Sequence, residues 1–280
     1  RNMLQIGKKQ ELTVIKCVNF GVYLAEGEGA LEKVLLPQKE VPENAELGTK
    51  IEVFLYKDSK DRLIATTRKP MLELGEIGQL TVKEVGKIGA FLDWGLEKDL
   101  LLPFKEQTKR VHENDQILVA LYVDKSSRLC ATMKIYPYLS KESSYKKDDH
   151  VTGIVYEVSK TFGAFVAVDG KYSGLIQAKE AGERYHVGDF VQLRVTGVKP
   201  DGKLDLSARE KAYIQIDEDA EVVMKVIEEF EGVLPFNDKV SPEIIQREMG
   251  LSKNAFKRAV GRLLKQGRIE ITENRIRKVK

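Results

Sequence analysis

Phe20-Gly21-Val22-Tyr23, Ile88-Gly89-Ala90-Phe91 and Phe162-Gly163-Ala164-Phe165 are three copies of one phrase: a bulky apolar residue, a glycine, a small or branched residue and an aromatic ring. Each copy follows a β-rich run. After it come an apolar triplet, a Gly or Asn-Asp turn, a second β-rich run and a turn closing on Ala-Thr or Leu-Ser. A unit of roughly seventy residues repeated three times fixes the architecture of most of the chain before any single side chain is weighed.

The third copy is the most legible. Val151 to Val158 alternates as a strand does, and Phe165–Val168, Gly174–Ile176, Phe190–Val198 and Leu204–Ser207 supply four more strands. Pro200-Asp201-Gly202 marks a tight turn before the last of them. Five short strands in a unit of this size predict a small closed barrel of the OB type, whose closure leaves no free edge. In the second strand Ala164, Val166 and Val168 point to the core, and Phe165 points outward. A regular strand would place Phe162 and Phe165 on opposite faces. A bulge or positive φ at Gly163 brings both rings to one side, as a platform for unpaired bases. The alternative is that one ring fills the barrel.

Outside the repeats, composition is that of a folded protein: 280 residues, 42% hydrophobic and 32% charged, enough for two to four domains. No apolar run approaches the length of about eighteen residues that a membrane span needs, and the start carries no signal-peptide pattern. Cys17 and Cys130 are expected as buried, reduced thiols, consistent with a cytoplasmic location. The net charge of +3 conceals an asymmetry: ten basic residues lie between Lys253 and Lys280, opposed only by Glu270 and Glu273. That end is suited to a polyanion.

Phe-Gly-Ala-Phe-Val, Ser-Gly-Leu-Ile, Val-Gly-Asp and Leu-Asp-Leu-Ser-Ala-Arg in the third repeat resemble the S1-type RNA-binding domain of ribosomal proteins. The resemblance implies a binding face of two aromatics, a histidine after the Gly-Leu-Ile step, and an Asp and Arg at the last turn. In the third repeat those places are held by Phe162, Phe165, Gln177, Lys199 and Lys203. The first has Phe20, Tyr23, Asp58 and Arg62, with Pro37 at the histidine place. The second has Phe91, Asp124 and Arg128, with Ile88 for the first aromatic and Pro103 for the histidine. The first and third repeats are therefore the better candidates, and the second is expected to be largely structural. Trp94, three residues after Phe91, is expected in a core or an interface.

Beyond Lys211 the apolar period becomes helical. Asp217 to Phe230 carries Ala220, Val223, Met224, Ile227 and Phe230 on one face. Ser241-Pro242-Glu243 starts a second helix that stops at Gly250. Ser252 opens a third with Ala255, Phe256, Ala259, Val260, Leu263 and Leu264, ending at Gly267. The remainder alternates about an Asn-containing turn as a hairpin. Three helices and a hairpin resemble a winged helix-turn-helix. That resemblance implies nucleic-acid contacts from Lys253, Lys257, Arg258, Arg262 and Lys265 on the third helix, and from Arg268, Arg275 and Arg277 on the wing.

Several motifs lead nowhere. Gly86-Lys87-Ile88-Gly89 has KH-loop spacing but sits between two predicted strands, as a turn. Asp148-Asp149-His150 falls in a polar linker and reads as a solvated loop. The three histidines lack ligand spacing, so no metal site and no cofactor are expected.

The predicted fold is mainly β with a C-terminal α+β domain: three tandem five-stranded OB barrels over 1–70, 71–139 and 140–213, then a winged helix over 214–280. This order, with Gly250-Leu251-Ser252-Lys253, Phe256-Lys257 and Gly267-Arg268-Ile269, resembles the conserved virulence factor B family of Gram-positive bacteria. The resemblance implies a non-enzymatic, monomeric regulator that binds single-stranded RNA and affects virulence-gene expression. Two alternatives stand beside it: a regulator reading duplex DNA through the winged helix, and a non-catalytic cofactor of an RNA-processing enzyme.

Overall fold

A computed structural model describes residues 4–279. They form two compact units, one ending at Ser207 and the other beginning at Ala208.

The first unit consists of three closed five-stranded barrels of one topology. Barrel one is β1 (Lys9–Val18), β2 (Gly21–Ala25), β3 (Val34–Pro37), β4 (Lys50–Lys57) and β5 (Leu63–Thr66). Barrel two is β6 (Ile77–Val85), β7 (Gly89–Asp93), β8 (Leu100–Pro103), β9 (Gln116–Val123) and β10 (Leu129–Thr132). Barrel three is β11 (His150–Ser159), β12 (Gly163–Val168), β13 (Tyr172–Gln177), β14 (Phe190–Val198) and β15 (Leu204–Ser207), with the one-turn helix α1 (Ala178–Ala181) after β13. In each the order around the barrel is first, second, third, fifth, fourth, and the third and fifth strands run parallel.

The repeats share more than topology. The first strand of each carries a bulge, between Val14 and Lys16, Val82 and Glu84, and Val155 and Glu157. A bulge of this kind sharpens the coil that closes a small barrel. At the end of the fifth strand a hydroxyl donates to a carboxylate in the turn after the third strand. The pairs are Thr66 with Glu40 (2.5 Å), Thr132 with Glu106 (3.5 Å) and Ser207 with Glu180 (2.5 Å). These bonds tie the parallel strands at their common end.

Alternation fills the barrels as expected. Ala164, Val166 and Val168 are fully buried in the third core. The outward face of β12 is not all solvent, however. Ala167 is buried against barrel two, in a cluster with Leu118, Ile135, Leu139 and Tyr156, and Thr108 Oγ1 donates to the Tyr156 carbonyl at 2.7 Å. Barrels one and two meet likewise: Phe54 of β4 belongs to the apolar cluster that forms the core of barrel two, edge-on to Trp94 with ring centroids 5.8 Å apart. Trp94 is 3% exposed, and its Nε1 donates to the Lys98 carbonyl at 2.7 Å.

Cys130 is buried, and burial raises its thiol pKa to about 11. Cys17 departs from expectation and is exposed. It lies past the β1 bulge, where β4, which pairs only with Lys9–Thr13, no longer covers that strand. The segment Gly86–Gly89 is a turn, closed by the Gly86 amide on the Gly89 carbonyl at 2.8 Å. Asp148, expected in a solvated loop, is held instead by the Arg194 guanidinium at 3.1 Å.

The second unit contains α2 (Ala212–Glu229), the short strand β16 (Val233–Leu234), α3 (Pro242–Met249), α4 (Lys253–Lys265) and the hairpin β17 (Ile269–Thr272) and β18 (Arg275–Lys278). Its core unites Val223, Ile227, Ile245, Phe256, Val260, Leu263 and Ile276. Ser252 caps α4, its Oγ accepting the Ala255 amide at 3.1 Å, whereas Ser241 caps α3 without a side-chain bond. Glu273 and Asn274 both have positive φ, the backbone that a two-residue hairpin turn requires. Two apolar residues assigned to the helical core face outward: Phe230 ends α2 half-open, and Leu264 is exposed on α4.

Candidate nucleic-acid interface

The repeated glycine shapes the interface. Gly21, Gly89 and Gly163 have φ of +151°, +153° and +119°. A Cβ at these places would lie 2.1, 2.3 and 2.0 Å from the carbonyl oxygens of Leu36, Leu102 and Ile176. Each glycine pairs across the sheet with the residue at the histidine place: Pro37, Pro103 and Gln177. The backbone turn that only glycine allows carries the preceding side chain to the same side as the aromatic that follows. Phe162 and Phe165 accordingly lie 6.3 Å apart with planes at 57°, and Phe20 and Tyr23 lie 6.3 Å apart, edge to face. Phe162 is 61% exposed and Phe20 58%.

The last-turn places also coincide. The amides of Asp58, Asp124 and Lys199 bond the carbonyls of Arg62, Arg128 and Lys203 at 2.8–2.9 Å. In barrels one and two the aspartate serves the turn. Asp58 Oδ1 accepts the amides of Lys60 and Arg62, and Asp124 Oδ1 those of Ser126 and Arg128. Desolvation pushes both carboxyls upward, but these amide bonds and the adjacent arginines outweigh it and hold them below the ordinary aspartate range. Arg62 reaches Asp58 at 3.0 Å and Arg128 reaches Asp124 at 3.6 Å. The carboxylates are thus turn supports, and the arginines are partly neutralised by them.

Barrel three differs. Phe162, Phe165, Lys199 and Lys203 line one cavity of about 430 Å3, together with Glu157, Leu175 and Leu204. Tyr136, from the segment joining barrels two and three, supplies a further wall. Its ring stands 6.4 Å from Phe165, edge to face, and the Lys203 ammonium lies 5.1 Å over its face. Contacts with Tyr136 and then Asp201 hold that ammonium above its usual pKa. Lys199 is 3.7 Å from Asp205. Gln177, exposed at the end of β13, does not line the cavity. Tyr136 was missed because it precedes the repeat; Tyr136-Pro137-Tyr138, a rigid aromatic run against the boundary, is its only signal.

In barrel two, Phe91 and Arg128 line a smaller groove of about 250 Å3, opposite Tyr56, Lys57 and Asp61 of barrel one. Ile88, 62% exposed, replaces the outer ring there, and Asp124 is not in the groove. In barrel one, Lys33 Nζ lies 4.6 Å over the Tyr23 ring.

In the second unit the predicted basic residues divide. Arg262 pairs with Asp217 at 2.5 Å, and Arg268 takes both oxygens of Glu221 through its two terminal nitrogens, at 2.6 and 3.3 Å. Both acidic partners lie on α2, so these arginines bind within the unit. Lys257, Arg258 and Lys265 are exposed on one face of α4 around Gly261, Lys253 is half-buried at its start, and Arg275 and Arg277 are exposed on the wing.

The architecture defines the chain as a tandem S1-domain protein with a C-terminal winged helix. Family models agree: the S1 domain matches residues 6–68 and 74–134, the second domain of virulence regulatory factor CvfB matches 137–210, and the CvfB-like winged helix domain matches 221–277. The chain belongs to the conserved virulence factor B family. It is 30% identical to the uncharacterized protein YitL of Bacillus subtilis over 94% of this chain and 90% of that one. It is 28% identical to conserved virulence factor B of Staphylococcus aureus over 91% and 88%. A solved multidomain protein with nucleic acid binding domains from Streptococcus pneumoniae aligns over 98% of both chains, with 24% identity and a TM-score of 0.49. Among the described residues no helix is long and apolar enough to cross a membrane.

Proposed function

We propose that this protein is a cytoplasmic, monomeric RNA-binding regulator, acting by binding rather than catalysis, with single-stranded RNA as its ligand and virulence-gene expression as its setting. The observation that carries this reading is the barrel-three cavity, where three aromatic rings and two lysines converge on an apolar floor. Flat rings beside ammonium groups suit unpaired bases joined by phosphates, and each stacked base contributes roughly 1–3 kcal/mol. The platform of Phe20 and Tyr23 offers a second such surface. Stacking and phosphate contacts read little sequence, so affinity falls steeply with salt while sequence preference outside any specific pocket is weak.

A second reading assigns duplex nucleic acid to the winged helix, on the strength of Lys257, Arg258 and Lys265 flanking Gly261 on the open face of α4. Fluorescence-polarisation titrations of single-stranded RNA, single-stranded DNA and duplex DNA at several salt concentrations separate the two. Single-stranded RNA is expected to bind most tightly, and Phe162→Ala with Phe165→Ala to weaken it by roughly 2–6 kcal/mol if the two effects add. Tight duplex binding with no single-strand binding would overturn the first reading.

A further inference from the structure

The cavity in barrel three contains a group that phosphate binding does not call for. Glu157 lines it, cross-strand from Phe165 and next to the β11 bulge, and among the described residues it forms no ion pair. The equivalent residue beside the second aromatic is Lys16 in barrel one, opposite Tyr23, and Glu84 in barrel two, opposite Phe91. A carboxylate within a site for a polyanion costs affinity unless it meets a donor on the ligand. The donors of an RNA nucleotide are its ribose 2′-OH and the edge of its base, and within a strand only the base edge can offer two side by side.

We infer that barrel three holds one unpaired guanine, stacked among Tyr136, Phe162 and Phe165, with the Glu157 carboxylate accepting its N1–H and N2–H2 donors. This inference rests on the RNA-binding reading above. The choice of base follows from hydrogen-bond chemistry. A carboxylate has two oxygens and only accepts, so it is satisfied by two adjacent N–H groups in the manner of a fork. On the pairing edge only guanine presents two neighbouring donors. Adenine and cytosine each set one amino group beside an acceptor nitrogen, and uracil flanks its single N–H with two carbonyls. Each of these would turn a lone pair toward Glu157. Lys199 and Lys203, across the cavity, are placed for the flanking phosphates or the guanine carbonyl. The volume of about 430 Å3 is in the range of small-molecule sites, and its apolar floor supports a flat ring.

The test uses the full chain and labelled oligouridines carrying guanine, inosine, adenine, cytosine or uracil at one central position. The guanine strand is expected to bind about tenfold tighter than the adenine, cytosine and uracil strands, since a bidentate contact discriminates by that order. Inosine, which keeps N1–H and lacks the amino group, should fall between. In Glu157→Gln, a change at a partly exposed side chain that preserves shape, the guanine preference should shrink to about twofold. Two results would overturn the inference while leaving the RNA-binding reading standing. One is equal binding of all five strands by the wild-type chain. The other is a uniform gain for every strand in Glu157→Gln, the mark of a carboxylate that merely repels phosphate. Failure of every strand to bind would instead overturn both.

Discussion

A methyl group on Gly163 has nowhere to go. Its Cβ would lie 2.0 Å from the Ile176 carbonyl oxygen and 2.6 Å from the Ala178 amide, both backbone atoms of the neighbouring strand and turn. At φ +119° the conformation itself disfavours any side chain. Strain and clash act together, so Gly163→Ala is expected to destabilise barrel three by about 3 kcal/mol, read as an earlier transition in denaturant or heat. Were β12 instead to shift away from β13 and absorb the methyl, Phe162 and Phe165 would separate and ligand affinity would fall with little change in melting. At this scale the sequence was informative where backbone geometry restricts residue choice. The three glycines were recognisable because nothing else fits, and the aromatic pairs because they flank them. Arg262 and Arg268 looked like ligand contacts because a sequence displays charges without their partners; Asp217 and Glu221 lie more than forty positions away. Tyr136 was hidden for a related reason, since its wall of the cavity is built by the path of a linker.

Helix α4 shows how the same limits act on an element. Its start at the Ser252 cap and its end before Gly267 were readable, as were Phe256, Ala259, Val260 and Leu263 on the buried face. The exposed face was less so. Gly261 sits mid-helix, and apart from its chain neighbours and the helix's own backbone no atom lies within 4 Å of the place its Cβ would occupy. Packing within the fold therefore gives no reason for a residue that costs a helix interior about 1 kcal/mol relative to alanine. Gly261→Ala is expected to stabilise the second unit by roughly 0.5–1 kcal/mol, measurable by thermal or urea unfolding. If this face lies against a nucleic-acid backbone, the same change weakens duplex binding in spite of the gain in stability. If binding is unaltered, the glycine does not serve a close approach there. Helix α2 starts at Ala212, directly after Lys211, where the apolar period becomes helical.

For the first unit as a whole, the informative residues are those on the outer faces of the barrels. Strand alternation identifies an outward residue but cannot say whether water or another barrel covers it. Ala167 and Phe54 both face out of their own barrels, and both are buried, by a neighbour that the local pattern does not contain. Trp94 makes the consequence testable. Its ring packs edge-on to Phe54, a residue of β4 whose side chain is counted in the core of barrel two, so the first barrel completes the second. Removing the indole opens a cavity at that junction and leaves the Lys98 carbonyl without its donor. Trp94→Ala should cost about 3–5 kcal/mol. The loss should also reach across the junction: amide protection in hydrogen exchange should fall in β4 of barrel one as well as in β7 of barrel two. Trp94→Phe, which keeps an aromatic ring against Phe54, should restore much of that shared protection. Loss confined to β7 would mean that the barrels touch without depending on each other. Loss in both strands would mean that the Phe91 and Arg128 groove, lined from two barrels, is held open as one rigid surface.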